Sequence, residues 1–83
     1  MKAVVRALIY STSNSWKVAE PGDAEQFIQE RTVSLEIKGN TEQGYHLIKS
    51  PEGCFRADSW HKTIEEATEV AQELFGVGLE EWD

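Results

Sequence analysis

The stretch "CFRADSWHKTIEEATEV", residues 54–70, decides the fold, because the hydrophobic period changes within it. Residues 54–59 read as a strand returning from a turn, whereas from Thr63 onward the apolar residues recur at helical spacing. Thr63 and Glu66 form a T-x-x-E capping box: the threonine oxygen accepts from the amide of Glu66, and the Glu66 carboxylate reaches back. Glu65 and Glu66 sit in the first turn, where the helix dipole favours negative charge. Ile64, Ala67, Val70, Ala71, Leu74 and Phe75 make one apolar stripe, and Glu65, Glu69, Gln72 and Glu73 face water. Gly76 supplies a left-handed C-cap, with Val77 packing back onto the last turn. The spacing therefore predicts a helix over 63–75.

Upstream, the period is two. "SPEG" (50–53) has proline second and glycine fourth, the pattern of a type I turn, so "YHLIK" (45–49) and residues 54–59 should form a hairpin. "GNTEQG" (39–44) is a turn cluster. Before it, "FIQERTVSLEIK" (27–38) places Phe27, Val33, Leu35 and Ile37 on one face and Glu30, Thr32, Ser34, Glu36 and Lys38 on the other. Residues 23–31 admit a competing helix, opened by Asp23 with Gln26 at its third position. "KAVVRALIY" (2–10) reads as a mostly buried first strand, and "WKV" (16–18) as either a short strand or a tucked loop. Trp82 is expected to pin the tail against the sheet or the helix. The fold expected is a single α+β domain over 1–83: an antiparallel sheet of about four strands (2–10, 27–38, 45–49, 54–59) with one C-terminal helix (63–75) packed on one face.

Eighty-three residues bury only about 60–65% of their unfolded surface, so the stability margin is thin and a homodimer would widen it. The net charge is −7, from 15 acidic and 8 basic residues. The lysines and arginines are scattered singly, which disfavours nucleic acid as a partner. An acidic surface suits a basic protein partner. One cysteine, Cys54, cannot form an internal disulfide, which fits a reducing cytoplasm. The apolar run near the N-terminus is short and broken by Arg6, so neither a signal peptide nor a membrane span is expected.

Several reactive side chains lie close together in the sequence. In a strand, Cys54, Arg56 and Asp58 share a face, and His61 lies just beyond it, the ingredients of a nucleophile with a base and an orienting acid. His46, Cys54, Asp58 and His61 together are a thin metal set, because zinc sites show closely spaced ligand pairs. If strands 45–49 and 54–58 pair, His46 and Asp58 become cross-strand neighbours. No phosphate loop, nucleophile elbow or dinucleotide fingerprint is present. No catalytic, cofactor or metal residue is expected, and the chain is expected not to be an enzyme. What remains is a surface for contact: Trp60 with His61 at the strand-to-helix corner, and Glu65, Glu69 and Glu73 on the outer face of the helix.

The segment "GYHLIKSPEGCFRADSWHKTIEEATEVAQELFG" (44–76) resembles the C-terminal part of small uncharacterised bacterial proteins, with a hairpin, a D-x-W-H-x-T corner and an E-E-A helix ending in F-G. It is loosely similar to HicB-type antitoxins, which share a Gly-Cys after a hairpin and a later T-x-E-E-A helix start. Here Cys54 and Thr63 are nine apart, wider than in that family, and no DNA-binding tail follows. "DAEQFIQERTVSLEIKGN" (23–40) looks like small immunity proteins of polymorphic toxin systems. These resemblances imply an α+β inhibitor or binding protein and carry no catalytic residue. The expected function is accordingly a non-catalytic acidic domain that binds a partner protein. Two alternatives stand beside it: a small-molecule-binding or enzymatic domain at the His61, Asp58 and Cys54 corner, and a structural homodimer through a sheet edge.

Overall fold

A computed structural model covers residues 1–83 and shows an α+β fold of five antiparallel strands and one helix. The strands are β1 (Lys2–Ser11), β2 (Trp16–Val18), β3 (Ile28–Asn40), β4 (Gly44–Pro51) and β5 (Ala57–His61), in the spatial order β2-β1-β3-β4-β5. The helix, α1, spans Ile64–Phe75 and lies against β4, β5 and β1.

The fifth strand settles the ambiguity at "WKV". Trp16 pairs with Ser11 and Val18 with Ile9, so this segment is a strand at the sheet edge. Residues 23–31 are neither of the expected alternatives in full. A 3-10 turn occupies Glu25–Phe27, and the strand begins at Ile28. Phe27 therefore stays out of the core and meets Tyr10 edge-on, with ring centroids 5.7 Å apart. The 13 residues of β3 are long enough to pair with β1 through its first part and with β4 through its last.

Register places Ala3, Ile9, Val33, Leu35, Ile37 and Leu47 on one face, where they are buried beneath the helix. Ala67 and Ala71 are the fully buried helix residues, and their small size lets the helix axis approach the sheet closely. The expectation of a mostly buried β1 is corrected: Val4 is 66% and Leu8 56% exposed on the opposite face. One helix can cover only one side of a sheet, and the smallest extent of the molecule, 20 Å, is that of a sheet with a single helix layer.

The hairpin before β5 is also different from expectation. The turn lies one residue later, over Pro51–Cys54, where the Cys54 amide donates to the Pro51 carbonyl at 3.0 Å. Gly53 occupies its third position with φ +80°, the requirement of a type II turn. The Glu52 amide donates to the Thr32 carbonyl at 2.8 Å, so the chain keeps following β3 beyond the strand. β5 consequently starts at Ala57, opposite Lys49, and not at residue 54.

The helix start and stop agree with the sequence. The Glu66 amide donates to Thr63 Oγ1 at 3.1 Å, and the Glu66 carboxylate accepts from the Thr63 amide at 3.2 Å. Gly76 is left-handed at φ 70°, and Val77 is buried. Trp82 packs against the core, while the Asp83 amide donates to the Lys2 carbonyl at 2.8 Å, tying the tail to β1. Thr63→Ala removes one member of the capping box and is expected to cost about 1 kcal/mol, read by urea denaturation, with Thr63→Ser close to wild type.

Candidate functional site

β5 ends at the corner that carries Trp60 and His61. Adjacent strand residues point to opposite sides of a sheet, so the two side chains diverge. Trp60 is on the open face, across from His46, and remains 55% exposed. Its indole nitrogen donates to the Gln43 carbonyl at 2.9 Å, and its ring lies against Gly44. Trp60 thus clamps the turn between β3 and β4 while leaving one ring surface to solvent. His61 is on the helix side, half-buried across from Tyr45, with Nε2 2.7 Å from Ser59 Oγ.

The remaining reactive residues are dispersed. Cys54 precedes β5, so the one-face arrangement expected of Cys54, Arg56 and Asp58 does not form. Cys54 packs half-buried against the helix-side core, whereas Asp58 projects from the open face. His46 and Asp58 do meet across the β4–β5 ladder, with Nδ1 3.8 Å from Oδ2, both well exposed. His61 is on the other side of the sheet from that pair. No three histidine, cysteine, aspartate or glutamate side chains gather closely enough to hold a metal ion. No single side of the sheet holds His61, Asp58 and Cys54 together.

The helix glutamates behave as a unit. Glu65, Glu69 and Glu73 recur at intervals of four and are all exposed on the side away from the sheet. None takes part in an ion pair; the four pairs in the molecule join Arg6 to Glu30, Lys17 to Asp23, Lys38 to Glu36 and His46 to Asp58. Charge is segregated along the chain. Residues 62–83 hold seven acidic side chains and one lysine, while residues 1–61 hold eight acidic and seven basic ones. Nearly all of the net charge of −7 thus belongs to the helix and tail. Trp60 faces away from this acidic side, so the two candidate contact points cannot engage one flat surface together.

One polar cluster on the helix side was not anticipated. Lys49 Nζ donates to Ser59 Oγ at 3.2 Å, and that hydroxyl continues to His61. Burial pushes the Lys49 amine below its ordinary pKa, with the Asp58 carboxylate partly opposing the shift. The sequence carries a signal for it: in "YHLIK", Lys49 shares a face with Tyr45 and Leu47, so a charge falls at an inward position. No helix is long and apolar enough to cross a membrane. Comparison with protein-family models, with characterised proteins and with solved structures found no match.

Proposed function

We propose that this chain is a non-catalytic acidic domain that binds and inhibits a partner protein, in the manner of an antitoxin or immunity protein. The helix face carrying Glu65, Glu69 and Glu73 meets a basic surface on that partner. The observation that carries this reading is the unpaired carboxylate stripe on a capped, packed helix. The stripe is unfavourable to the helix itself. Glu65 with Glu69, and Glu69 with Glu73, are like-charge neighbours that each cost a few tenths of a kcal/mol. Glu73 also lies near the negative end of the helix dipole, and no basic residue offsets it in the last turn. Stability alone favours a lysine at one of these positions. A fixed row of negative charge instead accelerates encounter with a basic partner and sets its orientation.

The reading is tested by capture from the native host at low salt, followed by binding measurements with the purified protein recovered. The wild-type chain is expected to retain a basic protein, to release it as salt rises, and to suppress that protein's activity. The triple variant Glu65→Gln, Glu69→Gln, Glu73→Gln should bind it on the order of tenfold more weakly, because three charge pairs of a few tenths to one kcal/mol are removed. Equal binding by the triple variant would overturn the assignment of the helix face.

A further inference from the structure

The groove between the helix C-terminus and the β2 end of the sheet brings apolar walls together with an inward-facing cation. Its walls are Trp16, Val18, Phe55, Leu74 and Phe75, and its one inward-facing charge is Lys49. The groove is open to solvent and offers a volume of about 250 Å³. At roughly 30 Å³ for each water-sized group, that accommodates about eight such groups, so a ligand the size of octanoate would leave the end of its chain at the open mouth. Trp16 Nε1 donates to the Phe55 carbonyl at 2.9 Å, so two of the walls are latched together before any ligand arrives. Phe55 and Leu74 nevertheless remain exposed. A ligand lying between them would remove that apolar area from water.

Lys49 explains what sort of ligand suits the groove. It is half-buried at an inward position on β4, beside Ala57, and it has no carboxylate partner. Its amine donates a hydrogen bond to a neutral hydroxyl, Ser59 Oγ. The other charged groups nearby offset its burial only in part, Asp58 being the one carboxylate that acts on it. Lys17 from β2 lines the rim but is engaged by Asp23 at 3.2 Å. Asp58 lies across the sheet with His46, and His61 sits behind Ser59. The helix contributes Leu74 and Phe75 to the groove and no charge. A half-buried cation with apolar walls on either side gains most from an anion that carries its own apolar body.

We propose that this groove binds a small amphipathic monocarboxylate, its alkyl or aryl part between the aromatic walls and its carboxylate on Lys49. The apolar walls suit the hydrocarbon part of such a ligand, and the Lys49 amine suits its carboxylate. The ligand's anion restores the electrostatic partner that burial denies Lys49, so binding raises the amine's pKa back toward its ordinary value. Affinity is therefore greatest while the amine is protonated, and it falls as pH rises through the Lys49 pKa in the free protein. The proposal does not depend on the helix-face function above, because Glu65, Glu69 and Glu73 lie on the far side of the helix.

The test is a titration with octanoate and, separately, with octan-1-ol, followed by methyl and amide NMR spectra of the full chain. Octanoate is expected to give saturable shifts at Val18, Ala57 and Leu74, with octan-1-ol binding at least tenfold more weakly. Lys49→Met keeps the aliphatic stem and should erase that preference, while Lys49→Arg should keep it. The spectrum of each variant also reports whether it is folded. Equal binding of acid and alcohol, unchanged octanoate binding in a folded Lys49→Met, or shifts confined to the open face of the sheet would each overturn the proposal.

Discussion

Leu47→Ala is expected to lower stability by about 3 kcal/mol, the middle of the range for emptying a closed core position. Leu47 is fully buried in β4, paired with Ile37 on one side and Ser59 on the other, under the helix. Its neighbours on both strands are held by ladder hydrogen bonds, so the space cannot collapse without distorting the sheet. For a chain of this size the whole stability is only about 4–12 kcal/mol. The loss should therefore appear as a fall in Tm on the order of 15 °C in thermal unfolding followed by circular dichroism. Leu8→Ala is the control. Leu8 lies on the open face, and its truncation should change stability by no more than about 0.5 kcal/mol. Comparable losses at Leu8 and Leu47 would contradict a sheet covered on one side only.

Gly39→Ala is expected to cost at least about 2 kcal/mol in urea denaturation. Gly39 has φ +143°, a region open to glycine alone. A Cβ there would run into the Gly44 carbonyl oxygen and come within 2.8 Å of Tyr45 Cα. Both obstacles are backbone, so relief requires moving the β3–β4 hairpin itself. That hairpin is tightly specified: Asn40 Oδ1 accepts from the amides of Glu42 and Gln43 at 3.0 and 2.8 Å, and Trp60 caps the Gln43 carbonyl. Gly22→Ala separates conformational strain from collision. Gly22 also has positive φ, at 95°, but nothing lies near its would-be Cβ. Its substitution should cost about 1 kcal/mol, the penalty of a left-handed residue without a clash. A Gly39→Ala variant no less stable than Gly22→Ala would contradict the hairpin geometry.

Part of this fold was readable in the sequence. The inward set on β3, Val33, Leu35 and Ile37, follows from strict alternation, because a pleated strand has no other way to arrange it. Thr63, Glu66 and Gly76 were equally legible, since helix ends depend on residues within one turn. The shifted turn at Pro51–Cys54 was not, because it depends on Thr32, some 20 residues away, accepting a hydrogen bond from Glu52. Strand β2 was undecided for the same reason: three residues become a strand only when Ser11 and Ile9 lie alongside them.

For the candidate sites, the sequence named the acidic stripe correctly as a helix face, since spacing of four is enough to align Glu65, Glu69 and Glu73. It could not say that Trp60 faces the opposite way from that helix. That depends on which side of β5 the chain turns after His61. Nor could it gather Lys49, Ser59 and the Trp16 wall, which come from β4, β5 and β2, at the two ends of the sheet order and its interior.

By itself, then, the sequence determined what local geometry controls: an antiparallel sheet read from period two, one helix with both its caps, and a carboxylate row on its outer side. Tertiary structure decided which sheet face is covered, where β5 begins, and which side chains share a groove. Those outcomes rest on hydrogen bonds and packing between residues far apart in the chain, and a single helix over a five-stranded sheet leaves the choice of covered face to the connection that follows β5.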